Sequence, residues 1–124
     1  MTELRLHHLS LRVRSAPASA AFYRDAFQFA ERRALSKPDG SRILHLSAPD
    51  ASVLLEVIEG EPGDPGEAVH LGFSCADLDG AIARACTAGA HVARGPVEVG
   101  RERIVFLRDP DGYWIELNDG LEPR

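Results

Sequence analysis

The sequence predicts an α+β fold made of one module used twice, each copy reading strand, helix, then three strands. Three observations carry this. Apolar residues alternate with polar ones in short segments bounded by turn residues. In each half a capped amphipathic helix follows the first strand. A histidine before the helix and a glutamate near the end of each half recur at nearly the same step. His8 to Ser15 and His70 to Asp77 are both seven positions, while His8 to Glu56 is 48 and His70 to Glu116 is 46. A repeat of this length implies two like modules that pack together, each alone too small for a good core.

The first strand is expected over residues 4–13, where Leu9, Leu11 and Val13 alternate with His8, Ser10 and Arg12. Ser15 is placed to cap a helix from Ala16 to about Phe27, with Pro17 in its first turn and Ala20, Phe22, Tyr23, Ala26 and Phe27 as its apolar stripe. A short strand is expected over 29–35 and a Lys-Pro-Asp-Gly-Ser turn over 37–41. Residues 42–47 and 52–58 form a hairpin around Ala-Pro-Asp-Ala. The segment 59–67 holds two prolines and three glycines, so it reads as a loop between the modules.

The pattern then restarts. A strand is expected over 69–75, and Asp77 caps a helix over 78–88 that Gly89 stops. Val92 and Ala93 begin a further strand, and Gly95-Pro96 reads as a turn. Residues 101–107 and 113–118 form the last hairpin around Asp109-Pro-Asp-Gly112. Proline presets φ there, glycine supplies φ > 0, and the aspartates can accept from nearby backbone N–H groups. Module one is thus about 1–58 and module two about 68–120, within a single domain spanning 1–124.

Composition narrows the function. With 44% apolar and 27% charged residues, the chain reads as globular. A formal charge of −5 argues against nucleic acid or an anionic membrane as a partner, since both need a basic face. It leaves room for a small-molecule substrate. No apolar run approaches the roughly 20 residues of a membrane span, and the first residues contain no signal-peptide block. Cys75 and Cys86 lack a CxxC spacing and are expected as reduced core thiols, which suits a cytoplasmic protein.

Glu116 sits among bulky apolar residues in the last strand. Desolvating a lone carboxylate there is costly, so it either faces solvent or meets a cation. Two histidines and two glutamates at matching places, His8, Glu56, His70 and Glu116, suggest a divalent metal: Zn, Ni, Co, Mn or Fe. Alternation puts each on the strand face opposite a mainly apolar, helix-covered face. His7, His45 and His91 do not share that register and are expected as surface or packing residues. The glycine-rich 60–66 segment lacks the lysine and the strand-to-helix setting of a phosphate loop. Arg12, on the His8 face, is either an ion-pair partner or an anchor for a substrate carboxylate. Phe106 and Trp114 are either pocket wall or core.

At these residues the chain resembles the vicinal oxygen chelate superfamily, the glyoxalase I, bleomycin-resistance, fosfomycin-resistance and extradiol-dioxygenase group. The matching pieces are His-Leu-Ser-Leu-Arg-Val at 8–13, Ala-Phe-Tyr at 21–23, His-Leu-Gly-Phe-Ser at 70–74, and the stretch from Phe106 through Asp109-Pro-Asp-Gly to Glu116-Leu117. The resemblance implies two βαβββ modules whose sheets form a metal-holding cleft, and a homodimer that builds the cleft from modules of both copies. The set His8, Glu56, His70 and Glu116 looks like that of glyoxalase I. This implies a metal-dependent lyase or isomerase acting on a small carbonyl or thiol adduct. Glu116, with Glu56, would abstract a proton, and the metal would stabilise the enediolate. Arg12 matches a position that helps hold glutathione in glyoxalase I. The loop before the final hairpin reads Val97-Glu-Val-Gly100, where that enzyme often has a basic glutathione contact. An epimerase, a thiol transferase or a non-catalytic drug-binding protein on the same scaffold are the alternatives.

Overall fold

One order of elements occurs twice. The computed structural model describes residues 4–120 and divides the chain into two units, 1–62 and 63–124. Residues 1–3, where the stretch expected to hold no signal block begins, and residues 121–124 lie outside the described part.

The first unit runs β1 (His8–Val13), α1 (Ala16–Phe27), β2 (Ala30–Ser36), β3 (Arg42–Ser47) and β4 (Leu54–Glu59). Its sheet has the order β1-β4-β3-β2, with β1 parallel to β4 and the other pairs antiparallel. Ser15 caps α1 by accepting from the Ala18 N–H at 3.2 Å, and Pro17 fits the first turn because it has no N–H to satisfy. The helix ends at Gln28 in the left-handed region, φ 63°, with its N–H donating to Arg24 O at 3.0 Å. Ala16, Phe22, Tyr23 and Ala26 are buried on α1; Val13, Leu44, Leu46, Leu55 and Val57 are buried in the sheet it packs on. Tyr23 meets Phe22 and Phe29 edge-on at centroid distances of 4.9 and 5.6 Å.

A carboxylate ties this unit together. Glu59, at the end of β4, accepts from the Ala16 N–H at 3.0 Å, one of the N–H groups at the helix start with no partner inside the helix. It also accepts from the Arg42 N–H at 2.7 Å and pairs with the Arg42 guanidinium at 2.9 Å. These bonds from Arg42 first, then from Ala16, hold its pKa down at about 2.

The second unit repeats the order: β5 (Leu71–Ser74), α2 (Leu78–Ala88), β6 (His91–Val99), β7 (Glu102–Arg108) and β8 (Trp114–Asn118), in a sheet ordered β5-β8-β7-β6. Asp77 caps α2 through the Gly80 N–H at 3.0 Å, and Gly89, at φ 124°, ends it. Leu78 and Ala85 of α2 are buried, as are Val105, Leu107, Ile115 and Leu117 of the sheet. Asp109 organises the 109–112 turn. Its Oδ1 accepts from the Asp111 and Tyr113 N–H groups at 2.9 Å each, and its backbone bonds Tyr113 and Gly112 at the same distance.

Four sequence expectations need correction. The first strand begins at His8 rather than Leu4; Leu4 and Leu6 are 93% and 72% exposed, and Leu9 is half-exposed. His70 stands just before β5 instead of on it. Gly95-Pro96, joined by a cis peptide bond, lies within β6. Pairing with β7 shifts register there, between Arg94 and Val97. Gly95 is needed because a Cβ would come within 2.8 Å of Ile104 O, so the irregularity is a bulge in a strand rather than a chain reversal. Cys75 and Cys86 are free thiols as expected, but Cys86 is exposed on α2 and is no core residue. Among the described residues no helix is long and apolar enough to cross a membrane.

Candidate functional site

In the first unit the site face is built from one row across three strands. Ser10 on β1, Glu56 on β4 and His45 on β3 stand in register, with α1 covering the opposite face. Ser10 Oγ donates to Glu56 Oε1 at 2.7 Å, and His45 Nε2 donates to Glu56 Oε2 at 2.7 Å. His8, two residues before Ser10 on the same face, brings Nε2 to 3.9 Å from Glu56 Oε1. The Ser10 bond is the largest reason the Glu56 carboxyl titrates below the ordinary carboxylate range; burial opposes it and His45 supports it. His8 and His45 stack at 6.1 Å, and His7 and His8 share a 2.8 Å hydrogen bond through their Nδ1 atoms. If His8 is the donor in that bond, its Nε2 lone pair is left open toward Glu56.

His45, expected as a surface or packing residue outside the register of the proposed ligands, is buried at 8% exposure but stands in register with Glu56 and is bonded to it. A register signal was available. Ala48 and Val53 close the hairpin, and His45 and Glu56 each lie three places beyond them. Arg12 is exposed on β1 in register with Ile58, its stem lying over Gly60.

In the second unit the corresponding row is Gly72 on β5, Glu116 on β8 and Phe106 on β7, continued by Arg94 on β6. His70 Nε2 is 3.1 Å from Glu116 Oε1, and its Nδ1 is 3.2 Å from Glu67 O. Both neighbours only accept, so one ring proton serves one of them. With Nδ1 as the donor, the Nε2 lone pair is available to a cation shared with Glu116. Asn118 Nδ2 also donates to Glu116 Oε2, at 3.3 Å.

Phe106 meets the His70 ring edge-on at 5.5 Å and Trp114 at 6.1 Å. The Arg94 guanidinium lies 4.8 Å from the Phe106 centroid and 5.7 Å from that of Trp114, and is ion-paired to Glu67 at 2.8 Å. Arg108 covers Trp114 at 5.1 Å. Phe106 and Trp114 are half-exposed on the face that carries Glu116. Arg94, with no motif around it in the chain, was not singled out by sequence; only its pairing opposite Phe106 reveals it.

Each unit therefore brings histidine to a glutamate: His45 and, farther off, His8 at Glu56, and His70 at Glu116. Donor atoms on one tetrahedral or octahedral divalent ion lie about 3 Å apart, given metal–ligand bonds near 2 Å. The pair at 3.1 Å meets that spacing, and the pair at 3.9 Å needs a small side-chain shift. The imidazole and carboxylate donor chemistry fits a divalent ion. Among the described residues, no group of three or more His, Cys, Asp or Glu side chains forms a metal-holding set.

A module with a βαβββ order, a helix on one face of its sheet and a His–Glu pair on the other defines a class of protein. The chain belongs to the glyoxalase/bleomycin resistance protein/dioxygenase superfamily, whose family model matches residues 5–117. It is 33% identical over 123 aligned residues to the lactoylglutathione lyase of Salmonella typhimurium, covering 92% of this chain and 91% of that one. A lactoylglutathione lyase of Pseudomonas aeruginosa is 39% identical over 54 residues, which is 44% of this chain but only 30% of that longer protein. Among solved structures, a glyoxalase family protein from Bacillus cereus superposes with a TM-score of 0.80 at 17% identity, covering 98% of this chain and 97% of that one. TnmS3, an antibiotic binding protein from Streptomyces sp. CB03234, has a TM-score of 0.73 at 25% identity, covering 96% and 98%. FosX, a fosfomycin resistance protein from Listeria monocytogenes solved with Mn(II) and sulfate, has a TM-score of 0.74 at 16% identity, covering 98% and 94%.

Proposed function

We propose that the chain is a divalent-metal-dependent lyase or isomerase of the glyoxalase I kind, working as a homodimer on a small carbonyl or thiol-adduct substrate. His8, Glu56, His70 and Glu116 are its metal ligands. The observation that carries this reading is the His70–Glu116 contact, which sets an imidazole nitrogen 3.1 Å from a carboxylate oxygen. Similarity to the Salmonella lyase over nearly the whole chain supports it.

A divalent ion held there supplies Lewis-acid stabilisation of negative charge developing on substrate oxygens. Glu116 takes a proton from the carbon beside the carbonyl and returns it to the neighbouring carbon, which leaves the overall composition of the substrate unchanged. Phe106 and Trp114 present an apolar wall that excludes water from that carbon. Arg12 and Arg94 offer guanidinium groups to an anionic end of the substrate.

The test is metal content followed by turnover. The purified protein should take up Ni²⁺, Co²⁺ or Zn²⁺ stoichiometrically and isomerise the methylglyoxal–glutathione hemithioacetal. Glu116→Gln should retain the fold and much of the metal while losing at least about 100-fold in kcat, the low end for general base catalysis. Lack of metal uptake would end the enzyme reading. Unchanged turnover in Glu116→Gln would remove its role as base. A second reading, a drug-binding protein without chemistry, is favoured by the similarity to TnmS3 and by the Phe106–Trp114 wall. Ligand-induced quenching of Trp114 fluorescence in a metal-free protein would support it.

A further inference from the structure

The two modules present the same three-strand row with different chemistry. Ser10, Glu56 and His45 form it in the first unit, and Gly72, Glu116 and Phe106 in the second. Strand by strand, Ser10 corresponds to Gly72 and His45 to Phe106. Glu56 thus has a hydrogen-bond donor on either side, one for each carboxylate oxygen, both at 2.7 Å. His45 is itself held, buried in the sheet and stacked on His8. Glu116 is flanked differently. Gly72 has no side chain, and a Cβ added there would meet nothing within 4 Å. Phe106 on the other side has no polar hydrogen to donate. What Glu116 has instead is Asn118 of its own strand, at 3.3 Å, and His70, at 3.1 Å. An imidazole whose Nε2 lone pair is taken by an ion has no proton there to give Glu116.

We propose that His45 and Ser10 are positioning residues that clamp the Glu56 carboxylate and fix it as a ligand. This rests on the reading of Glu56 and Glu116 as ligands. A ligand bonded at both oxygens has little rotamer freedom left to lose when an ion arrives. Groups that orient ligands in this way commonly change metal affinity by 10–100-fold when removed.

The experiment uses the full chain with Co²⁺ as probe, reading the dissociation constant by chelator competition and the coordination by the visible d–d spectrum. His45→Phe copies the second module's residue and should weaken Co²⁺ binding at least about 10-fold with an altered spectrum. His45→Gln, which restores an N–H donor, should recover most of the affinity and the original spectrum. Ser10→Ala, the milder change, should weaken binding in the same direction and serves if His45→Phe fails to fold. In the metal-free protein, two-bond ¹H–¹⁵N spectra should show His45 protonated at Nε2. A proton on Nδ1 alone would overturn the clamp directly. Co²⁺ uptake indifferent to both His45→Phe and Ser10→Ala would overturn this inference while leaving the metal reading intact. Failure of the wild type to bind Co²⁺ would overturn both.

Discussion

Replacing Asp109 by alanine should destabilise the second module far more than replacing it by asparagine. Asp109 is 3% exposed, and its Oδ1 alone receives two backbone N–H groups, from Asp111 and Tyr113, each at 2.9 Å. A hydrogen bond to a charged group contributes about 1.5–3 kcal/mol, and removing the acceptor leaves buried donors without a partner. The two bonds share one oxygen and are not independent, so we take about 3–4 kcal/mol for Asp109→Ala. Asparagine keeps a carbonyl oxygen in the same place and loses only the charge assistance, about 1 kcal/mol. Urea unfolding followed by tryptophan fluorescence is the assay, because Trp114 is the chain's single tryptophan and opens β8 directly after the turn. The turn also sets where Glu116 begins, so Asp109→Ala should weaken metal uptake before the module unfolds. An alanine variant within about 0.5 kcal/mol of wild type, or an asparagine variant as unstable as the alanine one, would refute the acceptor argument.

Glu59 sets a pH dependence. Its folded pKa of about 2 lies below the ordinary 4.5, so its stabilising effect is complete above about pH 4.5 and fades as pH falls toward 2. Glu59→Gln should flatten the stability–pH curve in that window, read by denaturant midpoints from pH 2 to 6; an unchanged slope would contradict it. Leu107, fully buried, should cost about 2–5 kcal/mol on truncation to alanine. Val97→Ala, at a position 48% exposed, should stay within about 0.5 kcal/mol. Comparable losses at the two sites would mean that β7 does not form the core as described.

Helix ends were legible to the residue. Ser15 and Asp77 cap by bonding N–H groups three residues on, and Gly89 ends α2 in a backbone region that favours glycine. Such contacts lie within one turn of chain, so local spacing reveals them. The repeat was legible for the same reason, since a period of two marks a strand wherever it sits. Strand starts were less so: Leu4 and Leu6 continue the alternation, yet alternation does not guarantee a neighbouring strand to pair with. Gly95-Pro96 has the composition of a turn and lies in a bulged strand, because β7 continues to pair on both sides of it.

The chain's local order thus determined that there are two βαβββ modules, that His8 and His70 recur seven places before each helix cap, and that Glu56 and Glu116 lie in the last strand of each module. It did not determine what stands beside each glutamate. Glu56 meets Ser10 from 46 positions away and His45 from 11, while Glu116 meets Gly72, Phe106 and, just ahead of β5, His70. Those neighbours follow from parallel and antiparallel pairing, which is fixed by the burial of Leu55, Val57, Ile115 and Leu117 on the opposite faces. A shift of one residue would turn every one of these apolar side chains out of the core. Tertiary packing therefore selects the register, and the register gives one glutamate two donors and the other an open side.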